Sequence, residues 1–240
     1  MSLRNRVLHA GLGAVARRGF EVHRHSSTRR QSVLARHGID LVLDVGAADG
    51  GYGTSLRSFG YTGEIVSFEP IAATFERLRG VVAADPRWTA RQLGLGAEAG
   101  SATINIASNG FSSSLLPMLD AHIDAAPQVT YVGEETITIS TLDDEAVPLL
   151  AGRRPFLKID TQGFEREVLA GGQATVEAVL GLQLELSLVP LYDGGMLIDE
   201  AISWAYDHGF RMVGIEQGYA APTGEILQID GVFVRTDAPA

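Results

Sequence analysis

The segment from Leu41 to Pro70 constrains the fold more than any other part of the sequence. An apolar run ending on Asp44 leads into a glycine-rich turn over residues 46–51, and a helix-like stretch follows over residues 52–59. A second apolar run then ends on Glu69. This order of elements is typical of the first half of a nucleotide-binding α/β fold: a strand, a glycine turn, a helix and a second strand that ends on an acid.

The alternation of helices and strands continues toward the C-terminus. We expect further helices over 71–82, 164–170 and 198–208, and further strands over 88–93, 156–160, 182–188, 210–215 and 226–235. The last two strands are joined by a connection of hairpin length, which predicts that they are antiparallel. The pattern therefore indicates a Rossmann-like α/β domain over residues 41–240, with a mostly parallel seven-stranded sheet and helices on both faces.

Residues 94–140 interrupt this alternation of helices and strands. Two stretches, 102–107 and 135–140, alternate like exposed strands, and a short helical stretch lies near 117–125. Loops of this length in a compact domain are often lids or binding segments. We expect this insertion to cover the site of the acceptor substrate.

The N-terminal 40 residues form a basic arm on an acidic body. They carry eight arginines and two acidic residues, a net charge of about +6, whereas the rest of the chain carries about −16. Apolar spacing predicts helices over residues 3–20 and 29–37. The arm could contact anionic lipid or a phosphorylated substrate, or pack against its own domain.

Composition excludes several other classes of protein. The chain has no cysteine, which excludes disulfides and thiolate metal sites. Aromatic residues make up only 7% and are not interleaved with basic stretches, so we expect no nucleic-acid partner. No apolar run approaches the length of a membrane span and no signal core is visible, which predicts a cytoplasmic protein. The sequence leaves open whether the chain forms a homo-oligomer.

The acidic residues around the glycine turn indicate what it binds. The dinucleotide fingerprint needs a middle glycine, but that position is Ala48, and Asp44 and Asp49 lie where a diphosphate would sit. Like charges about 4–6 Å apart repel by roughly 1 kcal/mol even when well solvated. A cationic ligand such as S-adenosylmethionine fits better, with Glu69 placed to accept hydrogen bonds from both ribose hydroxyls.

Five segments in the same order resemble the FkbM family of class I S-adenosylmethionine-dependent methyltransferases. These segments are DVGA-x-x-G from Asp44, SFEP from Ser67, STLDD from Ser140, LKIDTQGFE from Leu157 and QLELS from Gln183. The resemblance covers nearly the whole chain beyond the basic arm. It implies transfer of a methyl group to a hydroxyl of a sugar, a glycan or glycolipid, or a polyketide-type metabolite.

Taken together, the turn and the resemblance predict a cofactor site and a reaction site. The predicted cofactor-binding residues are Asp44, Gly46, Ala47, Asp49, Gly50, Tyr52, Glu69, Pro70, Leu93, Gly94, Ser113 and Asp160. The predicted substrate-binding residues are Gln162, Glu165, Glu185 and Tyr192. The predicted catalytic residues are Asp160 and His122.

Several of these residues have a structural alternative. Asp160, at the end of a strand, could orient the acceptor hydroxyl or instead cap a helix. Glu165 could simply compensate a helix dipole, and Tyr192 could be packing. His122, within the insertion, could take the hydroxyl proton or lie on a helix surface. Ser113 and its serine neighbours could bind the cofactor carboxylate or the acceptor, or form a polar turn.

Two further alternatives concern metal and function. Asp160 and Glu185 could together hold Mg²⁺, although a pair of carboxylates is a weak ligand pattern and metal dependence is not favoured. A dinucleotide-dependent oxidoreductase and a non-catalytic cofactor-binding scaffold are the alternatives to the methyltransferase.

Overall fold

The structure is a computed structural model that describes residues 25–236 of the chain. The predicted helix over residues 3–20, and with it most of the basic arm, lies outside the described residues. The second predicted helix is α1, Ser26–Arg36. It begins three residues earlier than expected because the ring of His25 caps it, with Nδ1 accepting the Ser27 N–H at 3.2 Å.

A seven-stranded sheet forms the centre of the domain. Its strands are β1 Leu41–Val45, β2 Glu64–Phe68, β3 Trp88–Arg91, β7 Pro155–Ile159, β8 Gly181–Ser187, β9 Phe210–Gln217 and β10 Gln228–Arg235. They are ordered β3-β2-β1-β7-β8-β10-β9. β10 pairs antiparallel with both β8 and β9, whereas the other pairs are parallel, so the predicted sheet is confirmed. The strand order reverses between β1 and β7, where α/β sheets bind ligands.

Helices cover both faces of this sheet. The helices are α1, α2 Gly51–Ser58, α3 Ala72–Val82, α4 Asp120–Ala125, α5 Leu142–Ala146, α6 Glu165–Ala170, α7 Gln173–Ala178 and α8 Ile198–Asp207, with a 3₁₀ turn at Val147–Leu149. One buried cluster joins α1, α2 and α3 to the sheet through Leu34, Leu56 and Leu78. A larger cluster on the other face includes Leu169 of α6 and Ala205 of α8. The central strands β1 and β7 are buried along their whole length, as expected for strands covered on both faces.

The insertion builds a second, smaller sheet. Its strands are β4 Gly94–Gly96, β5 Gly100–Ala107 and β6 Tyr131–Thr141, in the order β4-β6-β5. The prediction of a strand over 88–93 was therefore too long, since the large sheet ends at Arg91 and a new strand starts at Gly94. A side chain at Gly94 would meet the Ile139 side chain at 2.9 Å, so glycine allows β4 to lie close to β6.

Across the described part of the chain, no helix is both long and apolar enough to cross a membrane.

Candidate active site

A cavity of about 430 Å³ opens at the carboxyl ends of β1, β2, β7 and β8, beside the switch in strand order. Of the predicted site residues, those that line it are Gly46, Glu69, Pro70, Leu93, Gly94, Ser113, His122, Asp160, Gln162 and Glu185. Those that do not line it are Asp44, Ala47, Asp49, Gly50, Tyr52, Glu165 and Tyr192. The volume is within the range of about 300–1,000 Å³ that small-molecule sites usually have.

The glycine turn brings the end of β1 against the end of β7. Gly46 has φ +73°, and a Cβ there would lie 1.8 Å from the main-chain oxygen of Asp160. The N–H groups of Gly46 and Ala47 both donate to the carbonyl of Phe68, at 3.1 and 3.0 Å. Only glycine permits this approach, so the turn sets the position of Asp160 at the cavity wall.

Lys158 is the only lysine in the sequence, and it lies buried beneath the turn. Its Nζ is 3.2 Å from Oδ1 of Asp44, 3.5 Å from Oδ2 of Asp160 and 2.8 Å from the carbonyl oxygen of Gly46. Burial opposes the charge of Lys158, but the carboxylates of Asp160 and Asp44 more than offset this and raise its pKa. The lysine therefore links three parts of the site through one cation.

The position of Asp44 corrects the sequence argument about its carboxylate. The sequence pattern predicted a carboxylate beside the ligand, but the side chain is fully buried below the turn. It pairs with Lys158 and accepts a hydrogen bond from the hydroxyl of Ser67 at 2.9 Å. A carboxylate that ends an apolar strand could not be assigned to a buried ion pair before its partner was known.

Glu69 is held in place by two main-chain groups. Its Oε2 accepts the Ala48 N–H and its Oε1 accepts the Ile71 N–H, each at 3.0 Å. Burial raises the pKa of Glu69 to about 7, although both hydrogen bonds oppose this. Each carboxylate oxygen has a second lone pair, so the side chain can accept two further hydrogen bonds.

Gln162 connects the acids at the ends of β7 and β8. Its Nε2 donates to Oδ1 of Asp160 at 3.0 Å and to the two oxygens of Glu185 at 3.1 and 3.0 Å. Its Oε1 accepts the hydroxyl of Tyr192 at 2.8 Å. Gln162 has φ +54°, an uncommon backbone conformation for a residue with a side chain. Tyr192 thus reaches the site through Gln162 and does not line the cavity itself.

Asp160 and Glu185 leave this end of the cavity acidic. Lys158 is the cation beside Asp160, and it also balances Asp44. Burial raises the pKa of Glu185 well above its usual value, and the charge of Asp160 adds to this. The arrangement favours a cation in the cavity, because a positive charge would relieve the repulsion between the two acids.

Glu165 shapes the turn that precedes α6. Its Oε1 accepts the N–H of Thr161 at 2.8 Å, the hydroxyl of Thr161 at 3.1 Å and the N–H of Gly163 at 3.2 Å. Burial raises its pKa. The alternative interpretation of Asp160 as a helix cap is wrong, because α6 begins only at Glu165, with Phe164 as its cap.

The insertion supplies His122 and the serine segment. His122 lies in α4, is 4% exposed, and its Nδ1 has no hydrogen-bond partner among the described residues. Burial lowers its pKa, which keeps the ring neutral near pH 7. The hydroxyl of Ser113 accepts the N–H of Ala107 at 3.0 Å, and that of Ser114 donates to the carbonyl of Gln162 at 2.7 Å. The serine segment therefore ties the insertion to the loop after β7.

Tyr219 also lines the cavity, although it is not among the predicted site residues. It lies in the connection from β9 to β10, and its ring centroid is 6.1 Å from that of His122. The local signal was an aromatic residue directly after Gly218, at the carboxyl end of a strand. Nothing local indicated that this hairpin meets α4.

Within residues 25–236, no group of three or more histidine, aspartate or glutamate side chains is arranged to hold a metal ion. Asp160 and Glu185 are instead bridged by the amide of Gln162.

Residues 44–212 match the family model of the methyltransferase FkbM domain. No curated protein matches the sequence.

Among solved structures, the fold is similar to that of methyltransferase FkbM from Methylobacillus flagellatus KT, with 15% identity and a TM-score of 0.51. The similarity covers 88% of this chain and 48% of that one, so this chain spans about half the length of that relative. A magnesium protoporphyrin IX methyltransferase from Synechocystis PCC 6803 is similar over 88% of this chain and 76% of that one, with 10% identity and a TM-score of 0.49. At such identities the similarity to the first structure shows the fold.

Proposed function

The chain belongs to the FkbM methyltransferase family, and from this premise we propose that it transfers the methyl group of S-adenosylmethionine to a hydroxyl of a sugar, glycan or polyketide-type metabolite. The observation that carries the proposal is the cavity itself. Its lining includes Glu69, a buried carboxylate that can accept hydrogen bonds from ribose hydroxyls. The acids Asp160 and Glu185 and the neutral ring of His122 line the same cavity.

The residues present fit the cofactor. Glu69 is fixed by two N–H groups and retains lone pairs for the two ribose hydroxyls. Pro70, Leu93 and Gly94 provide an apolar wall beside it that suits the adenine ring. When bound, the cofactor supplies an electrophilic methyl group on a positively charged sulfur. The carboxylates of Asp160 and Glu185 would lie near that charge and stabilise it.

Positioning is the main requirement of methyl transfer, since the acceptor oxygen must lie in line with the methyl carbon. We infer that Asp160 and Gln162 orient the acceptor near the junction of β1 and β7. Residues of the 94–140 insertion line the same cavity, among them Phe111, Ser113 and His122. This supports the interpretation of the insertion as a cover over the acceptor.

His122 is the proposed acceptor of the hydroxyl proton. An imidazole that burial keeps neutral has a free nitrogen lone pair near pH 7, as a base requires. Nδ1 is buried out of reach of a molecule in the cavity, so Nε2 is the nitrogen proposed to accept the hydroxyl hydrogen before transfer. Removal of that hydrogen makes the oxygen a better nucleophile as the carbon–oxygen bond forms.

The first test separates this function from its alternatives. Calorimetry should show binding of S-adenosylhomocysteine and no binding of NAD⁺, since a pyrophosphate would meet the acidic lining. Methyl-labelled S-adenosylmethionine should then label a member of a panel of glycans and small metabolites. Binding without transfer to any acceptor would favour the non-catalytic scaffold, and failure to bind S-adenosylhomocysteine would overturn the proposal.

Replacing His122 with asparagine should reduce turnover by about 10²-fold or more, as loss of a general base typically does. The affinity for S-adenosylhomocysteine should stay within about two-fold, because His122 belongs to α4 of the insertion, whereas the proposed ribose partner Glu69 follows β2. His208→Asn is the matched control, since His208 is an exposed histidine at the end of α8 and should tolerate the change. Equal turnover in the two variants would contradict the assignment of His122 as the base.

Cofactor affinity should depend on pH through Glu69. Burial raises the pKa of Glu69 to about 7 in the folded protein, so the free enzyme takes up a proton there as the pH falls. Ribose hydroxyls donate to the ionised carboxylate, so affinity for S-adenosylhomocysteine should be highest well above pH 7 and should fall as the pH drops through 7 toward 5.5. Calorimetry across this range checks the effect.

The Glu69→Gln variant provides the control for that titration. It cannot ionise, so its affinity should be lower by about ten-fold, the effect of losing a charge-assisted hydrogen bond. The pH dependence between 5.5 and 8 should also largely disappear. If the wild-type and Glu69→Gln proteins show the same pH dependence, Glu69 is not the titrating group.

A further inference from the structure

Four carboxylates follow one another across neighbouring strands near the carboxyl ends of β7 and β8. Asp160 directly follows β7, and the amide of Gln162 joins it to Glu185 of β8. Glu185 pairs in register with Asp230 of β10, which pairs in register with Glu216 of β9. Opposite residues of an antiparallel pair point to the same face of a sheet. These four acids therefore form one set, the acid row, of which Asp160 and Glu185 line the cavity.

A cation balances each end of the acid row. Nζ of Lys158 lies 3.5 Å from Oδ2 of Asp160, but it also pairs with Asp44 at 3.2 Å, so one positive charge serves two acids. At the other end, Nη1 of Arg30 in α1 donates to Oε2 of Glu216 at 2.9 Å. Both cations are 5% exposed, so salt in the solvent screens these pairs little.

The two acids in the middle of the row lack a cation of their own. Within residues 25–236, no lysine, arginine or histidine nitrogen lies within 4.0 Å of a carboxylate oxygen of Glu185 or Asp230. Their hydrogen-bond donors are neutral amides, Gln162 for Glu185 and Gln183 for Asp230. Oε1 of Gln183 accepts the hydroxyl of Tyr52 at 3.1 Å, which fixes the orientation of that amide. The acid row therefore carries more acids than cations.

The missing cation makes the two middle acids hold their protons more tightly. Burial raises the pKa of Glu185 well above its usual value, and the charge of Asp160 adds to this. The charges of Glu165 and Asp230 add further to the rise, whereas that of Lys158 opposes it. Burial also raises the pKa of Asp230, to about 6. A positive charge placed beside Glu185 would favour its ionised form and so displace a proton.

We propose that the acid row selects S-adenosylmethionine over S-adenosylhomocysteine by charge, with Glu185 as the group that meets the cofactor cation and Asp230 as a positioning residue that acts through Glu185. The two molecules share the adenine, the ribose and the amino-acid group, but only S-adenosylmethionine carries a sulfonium. Acids without a cation stabilise that charge and gain nothing from the neutral thioether that remains after transfer. The inference rests on the proposed methyl transfer and adds to it a means of binding the methyl donor in preference to the spent cofactor.

The first experiment compares the two molecules in the wild-type protein. Calorimetry without an acceptor and with EDTA present gives both dissociation constants between pH 6 and 8.5. S-adenosylmethionine should bind about five-fold tighter or more, the effect of one unit charge about 4 Å away in water, and this preference should grow with pH as Glu185 ionises. Titration of Glu69 cancels in the ratio, because the ribose is the same in both molecules. Equal affinities, or tighter binding of S-adenosylhomocysteine, would overturn the proposal.

The second experiment counts protons. The binding heats at pH 7.5 in phosphate and in Tris differ by the ionisation heat of the buffer, which gives the number of protons released. S-adenosylmethionine should release more protons than S-adenosylhomocysteine, because only the sulfonium favours ionised Glu185. Equal proton release by the two molecules would overturn the proposal.

The Glu185→Gln variant removes the group that meets the cation. It should lower the preference for S-adenosylmethionine about three-fold or more and abolish the difference in proton release, while the affinity for S-adenosylhomocysteine stays within about two-fold. Glu177→Gln is the matched control, since Glu177 is an exposed glutamate of α7 and should keep the wild-type preference. Equal preference in the two variants would exclude Glu185 as the selecting group.

The Asp230→Asn variant tests the residue behind Glu185. Loss of its negative charge makes Glu185 easier to ionise, so the rise of the preference with pH should move to lower pH and less proton should be released at pH 7.5. A purely structural role of Asp230 would not move this pH profile. Asp207→Asn, at an exposed aspartate of α8, should keep the wild-type profile. The same pH profile in both variants would overturn the role of Asp230.

Failure of the proposed function is visible separately in these measurements. If the wild-type protein binds neither S-adenosylmethionine nor S-adenosylhomocysteine, the methyltransferase proposal fails. If it binds both with equal affinity and equal proton release, the proposed function stands and only the selection by charge fails.

Discussion

Replacing Lys158 with methionine is expected to lower the free energy of unfolding by about 3–5 kcal/mol, the usual effect of leaving a buried charge without its partner. Methionine keeps most of the apolar stem but removes the ammonium group. The carboxylate of Asp44, which is fully buried, would then have only the hydroxyl of Ser67 as a polar partner within residues 25–236. The carbonyls of Val45 and Gly46 would also lose a donor. Urea unfolding at pH 7.5 measures the change.

Two further variants make this prediction specific. Adding Asp44→Asn to Lys158→Met removes the uncompensated charge and should restore part of the lost stability, which a double-mutant cycle quantifies. Arg79→Met serves as the surface control, since Arg79 pairs with Glu76 at 2.6 Å while both side chains are more than 60% exposed. Such a pair contributes at most about 1 kcal/mol. If Lys158→Met is no more destabilising than Arg79→Met, the buried cation does not hold the turn in place.

The same lysine shows how much of the site could be predicted from the sequence. A lysine in an apolar strand can either extend its charged end past the core or pair with an acid, and in the structure Lys158 pairs with Asp44 and Asp160. Which acid it pairs with could not be predicted, because Asp44 and Lys158 meet only when β1 and β7 become neighbours. A charged side chain that seems available to a ligand when one strand is considered alone can instead form an ion pair with a residue of the neighbouring strand.

Elements with a strong local pattern were predictable. The strand from Leu41, the helix after the glycine turn and the antiparallel final pair were found within a few residues of their true bounds. Their apolar periodicity and glycine boundaries reflect burial on both faces of one sheet. Glu69 and Asp160 were placed at the cavity for the same reason, since each directly follows such a strand.

Elements that depend on distant partners were not predictable. β4 consists of Gly94, Leu95 and Gly96, which have little strand propensity of their own, and it forms because it pairs with residues 139–141. The short helix α7 was also missed, because its six residues follow α6 after only two glycines. Tyr219 belongs to the same class, since its place in the site comes from the contact of two loops that are far apart in sequence.

Replacing Gly46 with alanine is expected to weaken S-adenosylhomocysteine binding by up to about 10²-fold, because relieving an overpacked contact costs about 1–3 kcal/mol and each 1.4 kcal/mol corresponds to a factor of about ten in affinity. The new Cβ would lie 1.8 Å from the main-chain oxygen of Asp160, and neither backbone can move without separating β1 from β7. Calorimetry gives the affinity and urea unfolding gives the stability.

The Gly60→Ala variant separates the effect of the steric clash from the effect of the positive φ. Gly60 has φ +94°, so alanine there has the same kind of left-handed strain, but no atom lies within 4 Å of the new Cβ. This variant should lose about 1–2 kcal/mol of stability and keep its cofactor affinity. Gly46→Ala should lose more stability as well as affinity, because strain and collision act together. If the two variants bind S-adenosylhomocysteine equally well, the close approach of the turn to Asp160 does not shape the site. The glycines would then matter only for the path of the chain, and the acids around the cavity alone would select its ligand.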